Sequence, residues 1–272
     1  RNQRCVPVLS NASPSGRVVG VITRTDLVRA MHEDLLAAGR VPSKTIPSAE
    51  EAPRVGRNVR NLIRQSVTVH RYDLLVRIGQ LAERLEISGY IVGGFVRDLL
   101  LGLKPLDFDI VVEGDGLEFA RRLAKQEQAQ VKTHARFGTA QITFTDGLTL
   151  DVATARNEYY EYPTALPTVE RSSIKKDLYR RDFTINTLAV CLNGSRFGEI
   201  LDFFGGQRDL KDKRLRVLHS LSFVEDPTRV FRAVRFEQRF GFQLSKDTLR
   251  LLQGAVQMEL FHRLSGPRLL NE

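Results

Sequence analysis

The chain has 272 residues, 42% of them hydrophobic, and its 41 Lys and Arg against 32 Asp and Glu give a formal charge of +9. Two cysteines, Cys5 and Cys191, exclude a disulfide framework or a cysteine-based zinc site, and the scattered histidines (His32, His70, His134, His219, His262) have no metal-binding spacing. No apolar stretch reaches the roughly 18–20 residues of a membrane span. With no signal-like start, this points to a cytoplasmic protein, and the basic excess suits a partner with a phosphate backbone. The length suggests two domains and a fragment of a third. The opening RNQRC lacks a methionine and the closing LLNE falls within a helical pattern, so both ends read as cut.

Residues 6–9 (VPVL) and 17–22 (RVVGVI) have strand character on either side of a polar loop. Leu27, Val28, Met31, Leu35 and Leu36 follow at helical spacing, with Asp26 in an N-cap position. The string GRVVGVITRTDLVRAM resembles the second half of a CBS motif. That resemblance implies contacts from Thr23 and Asp26 to the phosphate and ribose of an adenine nucleotide. A single half-motif favours structural docking or a truncated remnant as the role of residues 1–39. Residues 40–68, with Pro42, Pro47 and Pro53 and little periodicity, read as a linker.

From residue 69 the pattern changes. Leu74, Leu75, Ile78, Leu81, Ala82 and Leu85 define one apolar helix face, and Gly89 follows its end. Tyr90, Ile91 and Val92 then run into the pair Gly93 and Gly94, followed by Arg97 and Asp98. Glycines there allow backbone N–H groups to approach an anion, with a helix start behind them. Phe108, Ile110, Val111 and Val112 give the next run strand character, so Asp107 and Asp109 are expected on one face. Two carboxylates about 5–7 Å apart repel by about 2–3 kcal/mol at an effective dielectric near 20. A divalent cation such as Mg²⁺ answers that directly. Asp115 opens another helix, and strand-like runs at 130–133, 138–144 and 148–153 follow. The last run places Asp151 among alternating apolar residues, as a buried-face aspartate that needs a reason. Helices first and strands after argue for an α+β fold with a mixed sheet.

Residues 156–176 read as a surface loop in which Arg171, Lys175 and Lys176 suit RNA phosphates. Residues 177–190 carry helical spacing at Leu178, Phe183, Ile185, Leu188 and Ala189, with Arg180, Arg181, Asp182 and Asn186 as a polar stripe. Residues 197–206 read as a strand and a turn at Asp202, Gly205 and Gly206, ahead of a basic run with Arg208, Lys211, Lys213, Arg214 and Arg216. Residues 225–242 open as a helix, with Asp226 as N-cap and Pro227 in its first turn, and Arg232, Arg235 and Arg239 cluster on one side.

Taken in order, GGFVRD, LDFDIVVE, RRDFTIN, DFFGG and EDPTR resemble the motifs of the class II tRNA nucleotidyltransferases and bacterial poly(A) polymerases, with HRLSGPRLLNE similar to the start of their last neck motif. Thr187 stands where the family has alanine. The resemblance covers about residues 70–272 and implies a polymerase-β-like head at 69–206 and a helical neck at 207–272. It implies Asp107 and Asp109 as ligands of two Mg²⁺ ions, with Asp151 as a third catalytic carboxylate. Gly93, Gly94 and Arg97 would hold triphosphate, Asp98 would belong to the same nucleotide site, and Arg180, Arg181, Asp182 and Asn186 would bind ribose and triphosphate. Glu225, Asp226 and Arg229 would read the base, which favours ATP and CTP because both offer an amino donor beside an acceptor, and Arg232 would also bind the nucleotide. The expected partner is the 3′ acceptor end of tRNA, with no membrane contact. Terminal A addition, CC or full CCA addition and poly(A) synthesis remain open, as does a CBS-type nucleotide-sensing module with an inactive transferase site.

Overall fold

A computed structural model describes residues 5–9, 18–23, 54–159 and 168–259. Strands β1 (Cys5–Leu9) and β2 (Val18–Thr23) form where the sequence has strand character, and they pair antiparallel. The expected helix at 27–36 and its cap Asp26 lie outside the described residues, as does the neck motif at 262–272.

Among the described residues the main sheet has eight strands. They are β3 (Arg54–Asn58), β4 (Ser88–Val92), β5 (Asp109–Glu113), β6 (Gln130–His134), β7 (Thr139–Thr143), β8 (Thr149–Thr154), β9 (Ala189–Cys191) and β10 (Glu199–Asp202). Their order across the sheet is β3-β10-β9-β4-β5-β8-β7-β6. Within this sheet, among the described residues, β5 and β8 are the one parallel pair, so the mixed α+β sheet expected from the sequence is present. The edge strand β3 and the helix Arg60–Ser66 arise from residues expected as linker. A five-residue edge strand, RVGRN, carries too little alternation to announce itself.

One face of the sheet carries the main apolar core. Leu74, Leu75, Ile78 and Leu81 of the helix Val69–Arg84 and Phe119, Ala120, Leu123 and Ala124 of the helix Gly116–Gln126 join Ile91, Ile110, Val112, Ile142, Leu150 and Val152 in one apolar core. Asp115 caps the second helix as expected, its Oδ1 accepting the N–H groups of Leu117 and Glu118. The first helix turns back at Glu86 (φ 55°), while Gly89 lies within β4 and not at the helix end. Gly79 on this helix has no room for a side chain, because a Cβ would stand 1.8 Å from the Leu192 carbonyl oxygen. Gly79→Ala is expected to cost about 3 kcal/mol, read as a lower urea midpoint at unchanged slope.

The other face is covered only in part. Ile174 and Leu178 of the short helix Ile174–Tyr179 pack on Tyr90, Val92, Val111, Ala189, Cys191 and Leu201. Beyond that patch Asp151, Gln141 and Lys132 stand exposed on β8, β7 and β6.

The long helix expected over 177–190 does not form. It stops at Tyr179, Phe183 is extended (φ −129°, ψ 151°), and a 3₁₀ turn spans Thr184–Asn186 before β9. Asp182 explains the break. Its Oδ1 accepts the Phe183 N–H at 2.7 Å and the Asn186 amide at 2.9 Å, offering the backbone an alternative to the helix ladder. Asp202 likewise makes the DFFGG turn, accepting from the backbone N–H groups of Gly205, Gly206 and Gln207 at 2.8–3.0 Å ahead of the helix Gly206–Lys211. In the basic run that follows, Arg216 is tied to Asp209 at 2.9 Å, whereas Arg208, Lys211, Lys213 and Arg214 are exposed.

Candidate active site

A cavity of about 400 Å³ opens between the sheet and the helix Thr228–Phe240. Gly93, Gly94 and Arg97 line it from one side, Asp107 and Asp109 from another, and Arg180, Arg181, Asp182 and Asn186 from a third. Asp226, Arg229 and Arg232 close it, together with Arg235, Phe236 and Arg239. Twelve residues expected from sequence thus meet at one place. Asp98, Asp151 and Glu225 are absent from its lining.

Asp109 opens β5 and Asp107 lies just before it, with Phe108 buried between them. The i, i+2 relation survives, although only one of the pair belongs to the strand. Burial pushes the Asp109 carboxyl above the ordinary aspartate range; Arg181 opposes this, and Asp151 and Asp107 add to it. Asp151 sits beside Asp109 in register across the parallel β5–β8 pair. It is exposed, not buried as its apolar neighbours suggest. The alternation of β8 points Leu150, Val152 and Thr154 to the core and Asp151 to the open face.

Gly93 has a different role from the one expected of it. Its N–H donates to the Leu188 carbonyl at 3.0 Å and is not offered to an anion. It has φ 67°, and a Cβ there would come within 2.8 Å of Arg181 Nη1. Gly93 therefore makes the turn and lets the Arg181 guanidinium pass close to the backbone.

The arginines are set by buried acids. Asp177 is fully buried and takes Arg180 at 2.7 Å and Arg181 at 3.2 Å. Burial raises its pKa, but Arg181 and Arg180 outweigh that and hold the carboxyl below the usual range. Arg181 Nε is buried without a partner among the described residues. Asp98 fixes Arg97 at 2.8 Å and approaches Arg239 at 3.8 Å, so it acts from behind the wall. Arg97 also donates to Asn186 Oδ1 and lies over the rings of Phe236 and Phe240. Asp182 holds Arg232 at 2.7 Å; burial raises its pKa, and Arg232 with Asn186 brings it below the ordinary value.

At the EDPTR motif, the helix begins at Thr228, two residues after the expected cap. Asp226 nevertheless closes its first turn, since Oδ1 accepts from Thr228 N–H and Oγ1. Arg229 is buried, with Nη1 on Ser222 and Nη2 on the Arg180 carbonyl, while its Nε has no partner among the described residues. Glu225 faces away, 3.5 Å from His219 Nε2. Arg235, Phe236 and Arg239 were not expected in the site. Their spacing from Arg232 (i+3, i+4, i+7) places them on the same helix side, a signal the arginine cluster already carried.

Residues 89–216 match the poly A polymerase head domain. The chain is 53% identical over all 272 residues to the A-adding tRNA nucleotidyltransferase of Geobacter sulfurreducens, of which it covers 30%. It is 42% identical over 270 residues, 99% of its length, to the A-adding tRNA nucleotidyltransferase of Aquifex aeolicus, again covering 30% of that protein. The fold superposes on the Thermotoga maritima CCA-adding enzyme complexed with tRNA at a TM-score of 0.72 and 47% identity, over 79% of this chain and 49% of that one. The chain therefore spans less than a third of the length of both curated relatives. Among the described residues no helix is long and apolar enough to cross a membrane.

Proposed function

We propose that the protein transfers a nucleotide from ATP to the 3′ end of tRNA, a reading supported by the match of residues 89–216 to the poly A polymerase head domain and by the likeness to A-adding tRNA nucleotidyltransferases. The observation that carries this reading is the charge of the cavity. Seven arginines line it against four aspartates, a formal excess of three positive charges, and two of those aspartates sit together at one wall. Such a cavity suits a triphosphate whose α-phosphorus lies toward the carboxylates.

Asp107 and Asp109 fit Mg²⁺. Mg²⁺ takes one or two carboxylates and completes its shell with water and substrate phosphates, and these two carboxylates line the same cavity as the arginines suited to phosphate. The raised pKa of Asp109 is what a cation beside it would reverse. Bound there, Mg²⁺ would supply charge neutralisation and a more acidic attacking hydroxyl.

The chain's own residues do the rest. Arg97, Arg180 and Arg181 hold phosphate oxygens, and the Asp182, Asn186 and Arg232 group takes the ribose. Asp226 and the Nε of Arg229 face the base edge, accepting from an amino group and donating to a ring acceptor. The 3′-hydroxyl oxygen of the RNA bonds to the α-phosphorus, the bond from that phosphorus to the bridging oxygen breaks, and pyrophosphate leaves. Asp151, open to solvent beside Asp109, takes the hydroxyl proton. We place the catalytic unit at 69–206, the base-selecting helical unit at 207–272, and the protein in the cytoplasm.

Arg229→Ala tests the base reading. We expect discrimination between ATP and GTP to fall by about 10²-fold in kcat/KM, with a smaller loss for ATP itself. Equal loss for both nucleotides would contradict it.

A further inference from the structure

A second cavity, of about 360 Å³, lies on the open sheet face and shares only Asp109 and Arg181 with the first. Its floor is a row of residues paired in register across four strands: Asp109 with Asp151, Asp151 with Gln141, and Gln141 with Lys132. Residues paired this way share a face, so the row runs straight from the candidate metal carboxylate to a lysine. At about 4.8 Å per strand, three steps span about 14 Å.

The row is polar and graded in charge. Asp151, Gln141 and Lys132 are all exposed, and His134 follows two residues on along the same face of β6. Gln141 Nε2 donates to Asp151 Oδ1 at 3.0 Å and so orients that carboxylate. Lys132 has no hydrogen-bond or ion-pair partner among the described residues. A lysine present only to balance Asp151 would sit on it; here Gln141 stands between them.

We propose that this face seats the terminal nucleotide of the acceptor RNA, with its ribose over Asp109 and Asp151 and its 5′ phosphate at Lys132. The proposal rests on the transferase reading above and adds where the RNA strand lies. The nucleoside triphosphate enters from the arginine cavity on one side of Asp109, and the acceptor end lies along the row on the other. The reacting groups then meet at the one carboxylate that both cavities share. Lys132 is a binding residue in this scheme, and Gln141 a positioning residue for Asp151.

The test measures binding of a tRNA ending in CC to the chain, to Lys132→Ala and to Lys132→Arg over a range of salt concentrations, with ATP binding measured in parallel. Lys132→Ala should weaken tRNA binding severalfold and lower the slope of log affinity against log salt by about 0.7, the value for one phosphate contact on a single strand. Lys132→Arg should restore both, and ATP binding should not change. A tRNA with 4-thiouridine as its last residue should photocrosslink within residues 130–143. Unchanged affinity and slope, equal weakening of ATP binding, or a crosslink outside those strands would overturn the proposal, as would a wild-type chain that does not bind tRNA. A chain that binds tRNA but incorporates nothing would overturn the transferase reading alone, and the salt slope and crosslink would still decide the row.

Discussion

Replacing Asp107 or Asp109 by alanine is expected to lower nucleotide incorporation by at least about 10³-fold while the chain stays folded. The rate loss follows from removing a cation worth several kcal/mol to a transition state that carries phosphate charge. The folding expectation follows from where the two residues sit. Asp107 is exposed, and Asp109 opens β5 at its cavity end, so neither side chain belongs to the apolar core. Burial is the main cause of the raised Asp109 pKa, Arg181 opposes it, and repulsion from Asp151 and Asp107 adds to it, so the ionised carboxylate is held there at a cost. Asp109→Ala should therefore leave the thermal midpoint unchanged or slightly raised without metal. It should also remove any rise in that midpoint produced by Mg²⁺ with ATP, a readout that does not depend on turnover. A variant that retains both activity and the metal-linked rise would contradict the assignment.

Asp177→Asn is expected to be the most damaging single change near the site although Asp177 does not line the cavity. Its carboxylate is fully buried between Arg180 and Arg181, whose guanidinium groups are themselves mostly buried. Removing one partner of a buried ion pair costs about 3–5 kcal/mol, because the remaining charge is left uncompensated. The same change frees both arginines from their fixed positions on the cavity wall, so ATP affinity should fall together with stability. Acid should reproduce the effect. The Asp177 pKa is held below the ordinary aspartate value of 3.8, so its stabilisation is full above that value and is lost as the pH falls through the lower folded value. In Asp177→Asn, the part of the acid-induced loss below about pH 4 that belongs to this group should be missing. Chemical denaturation at several pH values measures both effects.

Much of the site was legible because its motifs are local. The run Tyr90–Val92 ending at Gly93 and Gly94 is a strand entering a helix, and the paired Asp107 and Asp109 need only the two-residue period of an extended chain. Asp202 and its two glycines announced a turn, and the structure shows the three backbone N–H groups that make it. What was not legible depends on distant partners. Apolar spacing at Phe183, Ile185 and Leu188 looked helical, yet these residues are buried in a 3₁₀ turn and its flanks because Asp182 takes a backbone N–H from the ladder. Asp151 looked buried because its neighbours are apolar, but the sheet face it occupies is open and period alone does not say which face is covered. The Gly93 requirement came from Arg181, 88 positions away, and no local pattern encodes that approach.

Labelled ATP and Mg²⁺ supplied to tRNAs ending before the tail, after the first C and after CC decide which addition occurs. A single added A on the tRNA ending in CC, and none on the other two, is the expected result. Successive C and A addition on all three when CTP is also supplied would move the assignment to full CCA addition, and long A tails would move it to poly(A) synthesis. Binding of ATP with no incorporation into any of the three would contradict the account.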